Sequence, residues 1–98
     1  MQKLVNDFIQ KYNLQTDEHT RYIDLVSEVG ELGKELIKST DYGKKAYAQT
    51  DDANGELGDC LFSLLALCCS MGIDAEEALE MALGKYERRF AENGNVGS

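Results

Sequence analysis

The chain has 98 residues, 43% of them hydrophobic and 29% charged, which fits one small globular domain spanning 1–98 and excludes a disordered segment. Its net charge of −8 argues against a general nucleic-acid binder, because the phosphate backbone would be repelled. A nucleotide substrate stays open, since a bound divalent cation reverses the local sign.

With no Pro or Trp and abundant Leu, Ala, Glu and Lys, the composition favours helix throughout. The first helix is expected at about Gln2 to Tyr12, with Leu4, Val5, Phe8, Ile9 and Tyr12 at helical spacing, and it stops near Asn13. Thr16 or Asp17 caps a long second helix from about Glu18 to Lys38. Its apolar stripe reads Tyr22, Leu25, Val29, Leu32 and Leu36, the 3-4 spacing of packed antiparallel helices. Ser39 to Asp51 is the one substantial loop.

Thr50, Asp51 or Asp52 caps the third helix, which runs to about Met71, where Gly72 stops it. Asp74 and Glu77 form a capping pattern for the fourth helix, whose stripe is Leu79, Leu83, Tyr86 and Phe90. Asn93-Gly94-Asn95 ends it, and Val96-Gly97-Ser98 is expected to fray. The result is an all-α fold, an antiparallel four-helix bundle-like domain.

The longest apolar run, Cys60 to Met71, is too short to span a bilayer, so no membrane partner is expected. Met1-Gln2-Lys3 leads straight into an amphipathic segment rather than a signal peptide. Cys60, Cys68 and Cys69 point in different directions on a helix and do not converge on a metal. They read as small core or interface residues in a reducing cytoplasm.

The chemistry lies in two acidic pairs, Glu28-x-x-Glu31 and Glu56-x-x-Asp59, each inside an apolar helical stretch. Glu31 and Glu35 fall within about 60° of Glu28, on the shoulder of the apolar stripe. The third helix is apolar over most of its circumference apart from a strip of Asp52, Glu56, Asp59, Ser63, Ala66 and Ser70. Glu56 and Asp59 are therefore expected to be semi-buried and to face the second helix. Carboxylates so placed repel one another unless a cation is shared, and Mg²⁺, with Mn²⁺ as a substitute, suits an all-oxygen donor set. Ordinary readings compete: a solvated Glu face on a long helix, or acids favoured near a helix start by its dipole. The coincidence of two pairs on core-facing strips favours the metal.

Leu25-Val26-Ser27-Glu28-Val29-Gly30-Glu31-Leu32-Gly33-Lys34-Glu35-Leu36, followed by Glu56-Leu57-Gly58-Asp59-Cys60-Leu61-Phe62, resembles the MazG-type all-α nucleoside triphosphate pyrophosphohydrolases. Dimeric dUTPases and phosphoribosyl-ATP pyrophosphohydrolase are related to that group. The Gly72-Ile73-Asp74 turn and the Lys85-Tyr86-Glu87-Arg88-Arg89-Phe90 ending extend the likeness over about Asp24 to Phe90. The resemblance implies that Glu28, Glu31, Glu56 and Asp59 bind Mg²⁺ and position a water. It also implies attack at the α-phosphorus of a nucleoside triphosphate, giving a monophosphate and pyrophosphate. Glu31 or Glu28 is then the base. One departure is Ser27, where relatives often carry another acid; Glu35 lies one turn beyond Glu31 on the same side.

Lys85 and Arg89, one turn apart, are candidates for binding the substrate's phosphates, although cations in a last helical turn are also favoured by the dipole alone. So apolar a third helix cannot be covered within a small chain, and the fold is expected to be completed by homo-oligomerisation as a homodimer or homotetramer. Two rival functions remain. One is a non-catalytic helical assembly or regulatory module holding a structural cation; the other is a pyrophosphohydrolase for a phosphoribosyl-ATP-type substrate.

Overall fold

The computed structural model describes residues 1–94 and 97 and contains four helices in chain order: α1 (Gln2–Lys11), α2 (Glu18–Lys38), α3 (Asp52–Met71) and α4 (Ala75–Asn93). No strand occurs among the described residues. Asn95, Val96 and Ser98, in the expected frayed end, lie outside them.

Local chemistry sets the helix ends. Asp17 accepts a 2.8 Å hydrogen bond from the Thr20 backbone N–H, which holds its carboxyl below the usual carboxylate range. Asp74 accepts from the N–H groups of Glu76 and Glu77 at 2.9 and 3.1 Å. Gly72 ends α3 in the left-handed region at φ +66°, which a side chain would resist. Asp51 stands at the cap position of α3 but makes no side-chain capping bond.

α2 and α3 form the central hairpin, and α1 lies across α3. Phe8 of α1 meets Phe62 of α3 edge to face, with ring centroids 5.8 Å apart. Two side-chain ties secure α1 and its connections, one of them long-range. Gln2 donates to the Ile73 carbonyl at 2.8 Å and accepts from the Ala75 N–H at 2.7 Å, fastening the start of α1 to the α3–α4 elbow. Arg21, buried at the start of α2, donates to the Leu14 carbonyl and pins the α1–α2 connection.

Of the stripe expected on α2, Leu25 and Leu32 turn inward and Tyr22, Val29 and Leu36 do not. Tyr22 is 58% exposed and Val29 54%, whereas Arg21, Leu25, Glu28, Leu32, Glu35 and Ser39 are buried or half-buried. That set repeats at 4-3-4-3-4, a complete seam along the helix. It places Glu28 and Glu35 on the seam itself rather than on its shoulder. Opposite them, Ala53, Ser63 and Ala66 are buried on the α3 strip that carries Glu56, where small side chains let the helices approach closely.

α4 departs from α3 at a bend of 102° and buries no residue of its own. Its stripe is open: Leu83 is 52% exposed and Phe90 61%. The chain is accordingly spread, with a radius of gyration of 16.7 Å against about 13 Å for a compact domain of this length. No single helix among the described residues is long and apolar enough to cross a membrane.

Candidate metal centre

Midway along the α2–α3 hairpin, Glu28 meets Glu56 and Asp59. One carboxylate oxygen from each lies within 4.8 Å of the other two. The seam spacing of α2 delivers Glu28, and the three-residue step from Glu56 to Asp59 puts both on the facing strip of α3. Glu28 and Glu56 are half-buried and Asp59 is exposed, so the cluster opens to solvent on one side.

Among the described residues these acids form no ion pair with a basic side chain. The ion pair among those residues is Lys3–Asp7, an exposed pair within α1. Partial burial, then the charges of Asp59, Glu31, Glu28 and Glu35, pushes the Glu56 carboxyl above its ordinary range. The same field reaches Cys60, whose thiol is raised first by burial and then by Glu28, Glu56 and Asp59. Three oxygen donors at such separations, with unrelieved negative charge around them, fit a hard divalent cation. Thiolate-seeking metals fit poorly, because Cys60 is driven toward its protonated form.

Glu31 stands apart from the trio. It is exposed, outside the group of converging oxygens, yet close enough to raise the proton affinity of Glu56. The structure thus gathers three of the four motif acids around one point and leaves the fourth at its rim. Glu35 faces the loop end: the Thr50 hydroxyl donates a hydrogen bond to its Oε1.

Lys85 and Arg89 are not brought to the acids of their own chain. Asp59 lies about 18 Å of helix from Met71, and Lys85 about 15 Å of helix from Ala75. With the 102° bend between α3 and α4, the two positions are roughly 20 Å apart, beyond the reach of one Lys and one carboxylate. The Lys85 ammonium instead sits over the Tyr86 ring, 5.2 Å from its centroid, and Arg89 is half-buried. An open apolar groove of about 1080 Å³ runs between α1, α3 and the start of α4, lined by residues such as Leu61, Leu64, Cys68, Ile73 and Leu79. It holds none of the motif acids.

Residues 15–92 match the MazG nucleotide pyrophosphohydrolase domain, which spans both acidic pairs and α2 to α4. The chain belongs to that family. It is also similar to the uncharacterized protein YpjD of Bacillus subtilis (strain 168), with 37% identity over 68 residues. That match takes in 66% of this chain, which spans 60% of the length of YpjD. No solved structure matches the chain.

Proposed function

We propose that this domain is a Mg²⁺-dependent nucleoside triphosphate pyrophosphohydrolase, converting a ribo- or deoxyribonucleotide, canonical or modified, to its monophosphate and pyrophosphate. The supporting observation is the convergence of Glu28, Glu56 and Asp59, which among the described residues form no ion pair with a basic side chain. Membership of the pyrophosphohydrolase family supplies the reaction class.

Glu28, Glu56 and Asp59 would hold the cation, with Mn²⁺ as a working substitute. Bound there, the ion supplies charge neutralisation for the phosphates and favours deprotonation of a water. Glu31, at the rim and free of the trio, is the better placed of the two candidate bases. Its carboxylate accepts a proton from the attacking water. The water oxygen bonds to the α-phosphorus, the bond from that phosphorus to the bridging oxygen breaks, and the electron pair leaves with pyrophosphate.

Lys85 and Arg89 suit the departing phosphates in charge, but not within their own chain. We therefore place them in the site of a second copy, carried there by the projecting α4. A homodimer or homotetramer would also cover the open faces of α2, α3 and α4. Free nucleotides as substrate and three unpaired thiols suit the cytoplasm.

The test is pyrophosphate release from a panel of canonical and modified nucleoside triphosphates and phosphoribosyl-ATP, with Mg²⁺ and with chelator. Mg²⁺-dependent formation of monophosphate plus pyrophosphate is the expected result. Turnover of phosphoribosyl-ATP alone would move the substrate. No release from folded protein would refute the hydrolase and leave a metal-holding assembly module.

A further inference from the structure

The loop joining α2 to α3 is knotted at a point that the reaction does not use. Ser39, 3% exposed, gives both its backbone N–H and its hydroxyl to the Glu35 carbonyl. Ala48 then donates its N–H to the Ser39 carbonyl at 3.0 Å, which folds the loop back on the end of α2. Two residues on, the Thr50 hydroxyl closes the knot on the Glu35 carboxylate, a contact spanning fifteen positions in sequence. Thr50 also accepts the Ala53 N–H at its carbonyl, so it is already joined to the first turn of α3.

We infer that Thr50 and Glu35 form a positioning latch that sets the axial register of α2 against α3, and so brings Glu28 within ligand distance of Glu56 and Asp59. This rests on reading that trio as the metal site.

Helix geometry supplies the reason. A slip of one residue displaces a helix by about 1.5 Å along its axis. A metal site tolerates about 0.5 Å before its donors fail to meet. The seam fixes that register less firmly than an unbroken apolar one would, because Glu28 and Glu35 occupy two of its six positions. A directional bond from α2 to Thr50, two residues before α3 begins and two turns beyond Glu28, provides the missing constraint. Glu35 thereby acts through geometry, and Thr50 offers its hydroxyl to Glu35 instead of capping α3.

The experiment measures Mn²⁺ binding by electron paramagnetic resonance in the full chain, with helicity followed by circular dichroism. Thr50→Val is expected to retain helicity and bind Mn²⁺ about tenfold more weakly, in the range typical of partners that orient metal ligands. Thr50→Ser, which keeps the hydroxyl, should restore binding to within about twofold of wild type. Glu35→Gln keeps an oxygen that can accept the Thr50 hydroxyl, and should likewise bind nearly as wild type, whereas Glu35→Ala should lose affinity as Thr50→Val does. Wild-type affinity in folded Thr50→Val would overturn the latch. Loss in Glu35→Gln equal to that in Glu35→Ala would overturn it too, by making Glu35 a ligand. Should Thr50→Val fail to fold, the contrast between Glu35→Gln and Glu35→Ala decides alone. No Mn²⁺ binding by the wild-type protein would overturn the site reading itself and the latch with it; unaltered binding in Thr50→Val overturns only the latch.

Discussion

Replacing Leu83 with Asp on the open face of α4 is expected to convert an oligomer into a monomer. The magnitude follows from surface area. The chain exposes 7407 Å², whereas a compact monomer of 10.9 kDa exposes about 5,600 Å². The excess is about 1,800 Å² per copy, or some 3,600 Å² for a pair, within the range of obligate interfaces. A carboxylate forced into such an interface costs about 3–5 kcal/mol per copy, and a twofold interface takes the cost twice. That corresponds to weakening by at least about 10⁴-fold. Sedimentation at micromolar concentration should give wild-type protein at twice 10.9 kDa or a higher multiple, and Leu83→Asp at 10.9 kDa with most of its helicity kept. A wild-type monomer of full helicity under those conditions would refute the reasoning, because the uncovered faces would then be stable in water.

Subunit mixing tests the placement of α4 across copies. Glu56→Ala protein and a Lys85→Ala/Arg89→Ala double variant should each be inactive, yet an equimolar mixture allowed to exchange should recover about a quarter of wild-type activity, from the one intact site in each mixed dimer; no recovery would return those cations to their own chain or to no role. Glu56→Ala and Asp59→Ala should each abolish turnover with helicity intact, and full activity in both would sink the site. Glu31→Gln should lower kcat by about 10²–10⁴-fold while Mn²⁺ binding is retained, as expected for a base rather than a ligand; loss of Mn²⁺ would make it a ligand. For pH, Glu56 has a raised pKa in the fold, so its charge penalises the metal-free fold above that pKa and the penalty lifts as pH falls through it. Denaturation in chelator should therefore show wild type gaining stability relative to Glu56→Gln on acidification, and with saturating Mg²⁺ the trend should reverse because protons compete for the ligand. Parallel profiles for the two proteins in chelator would contradict the like-charge crowding.

Helix existence and most helix ends were legible because their causes are local. Asp17, Gly72 and Asp74 act within a turn of themselves, and each does what its residue type prescribes. The acidic pairs were legible as a group because each is an i, i+3 step on a strip expected to face the other helix, and the hairpin brings three of the four together. The different standing of Glu31 was not, since a helical wheel places it only by angle, and angle alone does not say which acid reaches a common point. Thr50 was visible as a cap candidate; its bond to Glu35 spans fifteen positions and leaves no periodic trace. Gln2 gave no signal at all, being an ordinary polar residue on the first turn of α1 whose two bonds depend on where α1 lies.

The inward face of α2 has a different lesson. Hydrophobic periodicity finds a buried face only when the buried positions are the apolar ones, and α2 has more apolar positions than one face can hold. Leu25 and Leu32 lie on the seam with Glu28 and Glu35, while Tyr22, Val29 and Leu36 lie to one side of it and remain exposed. Averaging the two sets moves the apparent centre toward the aliphatics and makes the acids look peripheral. Leu25 and Leu32 face α3 of the same chain, whereas Tyr22, Val29 and Leu36 stay exposed. The exposed stripe of α4 and the exposed Leu61 and Leu64 of α3 share that condition. On the oligomer proposed above, the displaced seam and the spread shape would have one cause, a sequence patterned for more burial than a single copy provides. A second copy over those faces would supply that burial and leave the acid seam where the hairpin places it.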